Sequence, residues 1–396
     1  MQEKIMILGA GRGQVDLIRS AKKLGYTTVV TSIEGNYPGF ELADEICYAD
    51  ISNPEEVADA AEKYGVQGIA TACLDTGIAA LGYSCEKLGL TGLSERSAKL
   101  SGDKLLMKSA FMDAGVQTAR YKKVSSREDV INVLEELELP MIVKAVDLQG
   151  SRGINIAYDR EELLDGYDRT MKETKKDFCI IEEFIDGYEF GAQAFVLNNE
   201  VLFVLPCGDI TYLGHTKIPV GHYAPLDFED EVLEKIDKQV RKAIQAIGLN
   251  NCAVNIDMIL RGDEVYVIEL TGRIGANCLP QITSIFYGID IYRLIVETAM
   301  GKDPSGYFRT ERKDMTASYA KMLISEKSGK LKRIINTNDK NSDIEEITFF
   351  VKEGDMINKF TNSRDCIGQI VVKGKNLAKC ETLIDEVIKN ISFELE

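Results

Sequence analysis

The chain has 396 residues, of which 45% are hydrophobic and 28% charged, so it is long enough for two to four folded units and lies outside the composition of disordered proteins. Its net charge of −16 argues against a general nucleic-acid binder, because such proteins neutralise phosphates with Lys and Arg, although a local basic cluster could still bind an anion. No apolar run approaches the roughly 20 residues that span a bilayer, and residues 1–9 are typical of a short strand entering a glycine turn, not of a secretion signal. We therefore expect a cytoplasmic protein without a membrane partner.

The first 95 residues alternate strands and helices. Continuous apolar or β-branched runs at 5–8, 27–32, 46–48 and 68–72 predict buried parallel strands. Helical spacing at 13–24, and Pro54 in the position of a first helical residue, predict the intervening helices. This stretch is predicted to be a small, doubly wound α/β domain.

A glycine-rich turn follows the first predicted strand. Gly9-Ala10-Gly11, with Glu34 after the second strand, is similar to a dinucleotide fingerprint, but that fingerprint requires a third glycine where this chain has Gln14. Gly13 stands one residue early and is not expected to give the close helix-to-strand approach. We predict a tight turn that could face a substrate, with a nicotinamide-dependent dehydrogenase as a weaker alternative.

The pattern of predicted secondary structure changes after residue 94. A helical linker containing Asp103-Lys104 comes first, and strands dominate after residue 118, with one helix at 126–137 and a longer one at 229–247. A mixed α+β tail begins at about 309. The predicted domains are 1–95, 96–188, 189–308 and 309–396.

Nine cysteines are scattered without a Cys-x-x-Cys pair, and the only histidines are His215 and His222, which have no cysteine nearby. Neither a disulfide framework nor a zinc site is expected. We expect the cysteines to be ordinary buried or half-buried thiols.

Two segments in the middle of the chain are candidates for nucleotide binding. A strand ending in Lys144 precedes a loop. The charge of this lysine and the backbone N–H groups of the loop suit phosphate oxygens. A second apolar strand breaks into an acidic stretch and could act as a hinge that contacts adenine and ribose. Each segment alone is equally compatible with an ordinary surface hairpin or strand end. Their candidate residues are Gly150, Ser151, Arg152 and Gly153 in the loop, and Glu182, Glu183, Phe184, Ile185 and Glu189 in the hinge.

A predicted β-hairpin at 255–273 carries the strongest signal. If its turn centres on Asp263, Asp257 and Glu269 pair directly across the two strands, where like charges are destabilising. Mg²⁺ would relieve this repulsion, since it prefers carboxylate and phosphate oxygens. Arg273 would point to the same side as Glu269. The alternative, a register shifted by one residue with Glu269 facing solvent, is disfavoured by the apolar residues on both faces.

These segments, in this order, resemble the ATP-grasp superfamily, specifically its carbamoyl-phosphate-synthase-like and biotin-carboxylase-like branch. The resemblance covers nearly the whole chain and implies an α/β and α+β multidomain protein: a pre-ATP-grasp domain, two lobes that clamp ATP, and a C-terminal α+β domain. It also implies the activity of an ADP-forming ligase that works through an acyl phosphate.

The resemblance assigns a role to each candidate. Lys104 and Lys144 would bind phosphates, the loop and the hinge would bind the rest of ATP, and Glu189 would bind ribose. Asp257 and Glu269 would hold one or two Mg²⁺ ions, for which Mn²⁺ can substitute. Arg273, together with Lys144, would be catalytic and stabilise the acyl phosphate.

One position departs from the family pattern Glu-x-Asn-x-Arg. Thr271 stands where the asparagine is expected, which places a second Mg²⁺ in doubt. The variable segment 211–222 and the residues after Arg273 are candidates for the substrate pocket. His222, Gly275 and Asn277 are named for that role, although an ordinary structural hydrogen bond is as good an account of His222.

The sequence does not decide between all activities of this kind. A stand-alone carboxylate–amine ligase acting on small-molecule substrates such as amino acids or peptides is preferred, and the family allows a homodimer. A carbamoyl-phosphate-synthase-like or carboxylase-type enzyme that uses bicarbonate is the alternative. A non-catalytic nucleotide sensor is weaker, because the set of Asp257, Glu269 and Arg273 is intact.

Overall fold

The computed structural model describes residues 2–148, 153–213, 217–311 and 315–396. Within this part, the N-terminal unit is a parallel four-stranded sheet in the order β3-β2-β1-β4, with three helices. Its elements are β1 (Lys4–Leu8), α1 (Val15–Lys23), β2 (Thr27–Ser32), β3 (Glu45–Tyr48), α2 (Pro54–Tyr64), β4 (Gly68–Ala70) and α3 (Ile78–Leu88). The predicted alternation of strands and helices is confirmed, and Asn53 caps α2 by accepting a hydrogen bond from the Glu56 N–H.

The glycine turn after β1 is occupied by a side chain. Gln14 donates from its amide nitrogen to the Ala72 carbonyl (2.5 Å) and accepts from the Gly11 N–H (3.0 Å), so the amide fills the turn that a dinucleotide would require open. Gly13 approaches a loop, since a Cβ there would lie 2.7 Å from the Cβ of Cys73, which follows β4.

Two helices connect the N-terminal unit to a second, antiparallel sheet. They are α4 (Glu95–Gly102) and α5 (Lys104–Ala114), and the Asp103 carboxylate caps α5 by accepting from the N–H groups of Leu105 and Leu106. This cap makes Lys104 the first residue of its helix.

We call the second sheet the small sheet, with strand order β5-β8-β6-β7. Its elements are β5 (Tyr121–Val124), α6 (Arg127–Val133), β6 (Met141–Lys144), β7 (Ile154–Ala157), α7 (Arg160–Glu173) and β8 (Cys179–Glu183). The predicted helix at 126–137 ends early, at Val133; Leu137 is nevertheless buried, so its apolar spacing reflected packing and not helix. The prediction of a single helix here was wrong, because α7 was missed.

The large sheet has eight strands in the order β13-β12-β9-β10-β11-β14-β18-β16. Helices α8 and α9 contribute apolar side chains to the cores on its two faces. The elements of this region are β9 (Tyr188–Leu197), β10 (Glu200–Leu213), β11 (Lys217–Ala224), α8 (Asp230–Ile247), β12 (Cys252–Arg261), β13 (Glu264–Thr271), α9 (Leu279–Tyr287), α10 (Ile291–Ala299), α11 (Ser305–Glu311) and β14 (Ala317–Leu323).

The C-terminal part adds strands to the large sheet and forms a further small antiparallel sheet. The latter has the order β17-β15-β19 and packs with α12 around its own apolar cluster. The remaining elements are β15 (Gly329–Asn336), β16 (Ile344–Phe349), β17 (Met356–Ile357), β18 (Gly368–Gly374), α12 (Leu377–Lys389) and β19 (Ile391–Leu395). Because β11 pairs with β14, the large sheet runs without interruption across residue 308, where a domain boundary was predicted.

Candidate active site

The β12–β13 hairpin places Asp257 directly opposite Glu269, as predicted. The reason differs from the one expected, however. The turn consists of Gly262 and Asp263, since Arg261 pairs with Glu264, and this register alone would set Asp257 opposite Ile268. A β-bulge at Ile268 shifts the pairing by one residue and brings Glu269 into place.

The two carboxylates differ in their electrostatic surroundings. The pKa of Asp257 is raised to about 7, first because the protein displaces bulk water around it and then because the carboxylates of Glu269 and Asp209 lie nearby. For Glu269, burial alone would raise the pKa, but the ammonium groups of Lys104 and Lys144 lower it below its ordinary value. The hairpin thus holds two neighbouring acids, of which one resists ionisation.

This arrangement fits a divalent cation. Two carboxylates with their oxygens on one side of a hairpin form a hard-oxygen donor set, and a cation would relieve the repulsion that raises the pKa of Asp257. Among the described residues, no three acidic, histidine or cysteine side chains converge on one point, so ligand oxygens would have to complete the coordination of an ion there.

Two lysines face this acidic pair from different elements. Lys104 Nζ, on α5, lies 3.2 Å from Glu269 Oε2 and donates to the Leu148 carbonyl at 2.9 Å. Lys144, at the end of β6, donates to Glu182 Oε2 at 2.8 Å. Against the opposing effect of burial, its pKa is raised by Glu182 and then by the charges of Glu269 and Asp257. Both predicted phosphate-binding lysines therefore border the space between the small and large sheets, which we call the cleft.

A third lysine, Lys108, was not singled out by the sequence. Its Nζ lies 3.4 Å from the same Glu182 oxygen and donates to Thr118 Oγ1 at 2.7 Å. Lys108 stands one helical turn after Lys104 on α5, and this i, i+4 spacing is the only sequence signal that could have pointed to it.

Most residues of the predicted hinge are held by contacts within the protein. The Glu182 carboxylate is held by the two lysines, and Glu183 pairs with Arg120 and Arg261. The Phe184 N–H donates to the Pro140 carbonyl, and Ile185 is buried. Glu189 lies on β9 opposite Ile259 and is exposed. Of the predicted loop, Gly150, Ser151 and Arg152 lie outside the described residues, and Gly153 adopts a φ of +64°.

Exposed isoleucines share the cleft side of the small sheet. In its register Lys144 is opposite Ile154, and Ile142 is opposite both Ile156 and Glu182, so these side chains point to one face. Ile154 and Ile156 are 37% and 42% exposed, whereas the other face is covered by α6 and α7. The result is an apolar wall beside a lysine, which is a suitable surface for the flat ring of a nucleotide base.

Arg273 is fixed by a residue of the N-terminal unit. Its Nε and Nη2 donate to the two oxygens of Asp75 at 2.6 and 2.8 Å, a bidentate pair. The Thr271 hydroxyl also hydrogen-bonds Asp75 and helps to lower the pKa of that carboxyl, after Arg273 and against the effect of burial. Asp75 was missed by sequence reasoning. Thr271, the doubtful metal ligand, is thus engaged with Asp75 in this structure.

The predicted substrate residues contact other parts of the large sheet. The His222 Nδ1 is 2.7 Å from Asp209 Oδ1, directly across β10 and β11. The Gly275 N–H donates to Gln193, and the Asn277 amide donates to the Pro219 carbonyl at 3.5 Å. His222 is buried, which is as compatible with a structural hydrogen bond as with a role in substrate binding.

The remaining expectations concern thiols and membranes. The nine cysteines are free thiols; seven are buried, and Cys73 and Cys252 are half-buried. In the part of the chain that the structure describes, no helix has the length and apolar character needed to cross a bilayer.

A clamp of two sheets with lysines on one side and paired acids on the other defines an ATP-grasp protein, and the comparisons agree. Residues 102–277 match the family "Phosphoribosylglycinamide synthetase, ATP-grasp (A) domain", and residues 321–396 match "L-amino acid ligase C-terminal domain 2". The chain belongs to the ATP-grasp superfamily, as its sequence predicted, and it has the multidomain architecture of that superfamily.

Three known proteins illustrate the similarity. The chain is 52% identical to the crystal structure of phosphoribosylglycinamide synthetase from Anaerococcus prevotii, with all of both chains covered and a TM-score of 0.90. It is 30% identical over 295 residues to alanine–anticapsin ligase from Bacillus subtilis, covering 67% of this chain and 62% of that protein, a little under two thirds of its length. L-amino acid ligase from Bacillus licheniformis shares the fold, with a TM-score of 0.83 at 19% identity, covering 100% of this chain and 99% of that one.

Proposed function

We propose that this protein is an ADP-forming carboxylate–amine ligase that activates its carboxylate substrate with ATP. The observation that carries the proposal is the hairpin pair Asp257–Glu269 facing the ammonium groups of Lys104 and Lys144. Opposed charges of this kind, gathered in one cleft, suit a polyanion bound together with a divalent cation.

ATP would lie in the cleft with its base against the apolar wall of Ile154 and Ile156 and its phosphates near the two lysines. The Lys144 ammonium lies on the same face of the small sheet as this wall, so base and phosphates can be bound along one surface. Asp257 and Glu269 would hold Mg²⁺, whose charge would offset that of the phosphates. Glu189, exposed on β9, remains the proposed ribose contact.

The chemistry has two steps. An oxygen of the carboxylate substrate attacks the γ-phosphorus of ATP, the bond from that phosphorus to the β,γ-bridging oxygen breaks, and ADP leaves. The nitrogen of the amine then attacks the acyl carbon, the bond from carbon to the phosphate oxygen breaks, and phosphate and a proton leave the amide. Arg273, oriented by Asp75, supplies positive charge where negative charge develops, and Lys144 does the same for the transferred phosphoryl group.

The substrates are proposed to include an amino acid. The name alanine–anticapsin ligase and the name phosphoribosylglycinamide synthetase both describe an amide at the carboxyl group of an amino acid, and the C-terminal family match is to an amino acid ligase. His222, Gly275 and Asn277 are the proposed residues of the substrate pocket. The two relatives differ in the amine, so the amine is left for experiment.

The test measures ADP and phosphate release with Mg·ATP and pools of amino acids, other amines and small carboxylates, including bicarbonate. Glu269→Gln and Arg273→Ala should abolish pool-dependent release. Glu264→Gln is the matched control, since Glu264 lies on the same strand but at the exposed turn, and it should retain wild-type rates.

Each outcome is informative. ADP release that requires both an amino acid and an amine establishes the ligase, and splitting the pools identifies the substrates. Release with bicarbonate alone points to the carboxylase-type activity. Failure to bind Mg·ATP by calorimetry would overturn the proposal altogether.

A further inference from the structure

Lys108 is a buried cation that the proposed chemistry does not use. Its side chain is 2% exposed, and its ammonium lies within reach of Thr118 and Glu182. At this exposure the side chain presents almost no surface to a ligand. Because removing an ammonium group from water is costly, a lysine in such a place needs a structural or a functional reason.

The partner of Lys108 is itself almost fully buried. Glu182 is 1% exposed, and its Oε2 atom accepts from Lys144 at 2.8 Å and lies 3.4 Å from Lys108 Nζ. The two lysines reach this oxygen from different elements, α5 and β6. The Lys144 contact is diagonal across the ladder, since Lys144 is opposite Ile180 and not opposite Glu182. A carboxylate held from two sides has less freedom to turn, and so has the Lys144 ammonium that it accepts from.

The same bridge connects the two proposed phosphate lysines. Lys104 and Lys108 are one turn apart on α5, and Lys144 is on the small sheet, so the Lys108–Glu182–Lys144 bridge ties the helix of one phosphate lysine to the strand of the other. The trio contains two ammonium groups and one carboxylate, and therefore one net positive charge. Burial, more than any other cause, lowers the pKa of Lys108 to about 8, which still leaves it charged at neutral pH.

We propose that Lys108 is a positioning residue for polyphosphate binding: through Glu182 it fixes the Lys144 ammonium relative to Lys104, at the spacing that the phosphates of ATP require. The inference rests on the proposed function, because it assumes that ATP occupies the cleft. Lys108 makes no ligand contact in this proposal. It affects binding of the phosphates of ATP and not binding of the base.

The test compares two ligands by calorimetry in the presence of Mg²⁺: a non-hydrolysable ATP analogue, which needs the lysines, and adenosine, which needs only the apolar wall. Lys108→Met should weaken binding of the ATP analogue by about 10- to 100-fold, the value of a charged hydrogen bond, and leave adenosine binding within twofold. A merely structural role would weaken both ligands together.

Two further variants keep the test decisive. Thr118→Val removes the other partner of Lys108 but leaves Glu182 in place, and it should retain most of the preference for the ATP analogue over adenosine. Should Lys108→Met fail to fold, Lys108→Met combined with Glu182→Gln removes two of the three charges of the trio and should show the same loss of preference.

The results separate this inference from the proposal beneath it. Wild-type protein that binds neither ligand would remove the ATP site itself. Wild-type protein that binds the ATP analogue, with an undiminished preference in the variant lacking Lys108, would overturn the role of Lys108 and leave the ligase proposal standing.

Discussion

Two charged clusters face each other across the cleft, and they are built on opposite principles. Beside the small sheet, Glu182 is buried between Lys108 and Lys144, so each charge lies next to one of opposite sign. On the hairpin, Asp257 and Glu269 place like charges side by side, and the pKa of Asp257 is raised by burial and then by this repulsion. In the first cluster each charge is offset by a neighbour of opposite sign, whereas the repulsion within the second would be reduced by a bound cation. The difference separates Glu182 and Lys108, which form the frame of the site, from Asp257 and Glu269, which act in it.

If Glu182 belongs to the frame, its removal should cost stability above all. Glu182→Leu leaves two buried ammonium groups without their carboxylate and should lower the free energy of unfolding by about 3–5 kcal/mol, measured by chemical denaturation. Glu183→Gln is the control, because Glu183 also contacts two cations but near the surface, and it should cost less than about 1 kcal/mol. Equal losses in the two variants would contradict the distinction.

If Asp257 belongs to the acting group, its removal should cost activity and not stability. Asp257→Asn should reduce the rate of ADP release by about 10²- to 10³-fold, the size of a lost charge-stabilising group. The melting temperature of the ligand-free variant should equal or exceed that of the wild type, because the repulsion with Glu269 disappears. A variant that is inactive because it is unfolded would place Asp257 in the frame after all.

The smallest effect concerns pH. Because the folded-state pKa of Asp257, about 7, exceeds that of the unfolded chain, the folded protein binds more protons between about pH 4 and pH 7. This group therefore makes the ligand-free protein less stable as pH rises through that window, by about 1 kcal/mol after allowance for solvent around it.

The measurement is the change in unfolding free energy between pH 5 and pH 7.5, compared between wild type and Asp257→Asn. The wild type should lose more stability on going to pH 7.5, and Mg·ATP should abolish the difference. Identical pH profiles in the absence of ligand would show that the acidic pair carries no such strain.

The sequence predicted those features that short stretches of chain encode. The alternation of strands and helices in the first 95 residues follows from local periodicity, and the pairing of Asp257 with Glu269 follows from one hairpin, although the bulge at Ile268 was not foreseen. Helix α7 was missed even though Asp159 caps it and two glutamates follow in its first turn, so its signal was present in the sequence.

Contacts between distant segments were beyond such reasoning. Asp75 and Arg273 are 198 residues apart, and nothing near Asp75 in the sequence marks it as the partner of an arginine. Lys108 resembles any lysine on an amphipathic helix until the fold brings β8 beside it. Lysines are normally exposed, whereas Lys108 is buried, and only the tertiary structure reveals that burial.

The continuity of the large sheet determines how this protein can be recombined with its relatives. The two family matches end at residue 277 and begin again at residue 321, which suggests exchangeable parts, yet β14 begins before the second match and donates and accepts hydrogen bonds along β11. His222 is opposite Ala320 in that pairing. A chimera joined at residue 321 would therefore divide one strand between two parents, directly beneath the proposed substrate pocket. A junction between α10 and β14 would keep that strand whole and place the contact between the two parents at the β11–β14 pairing.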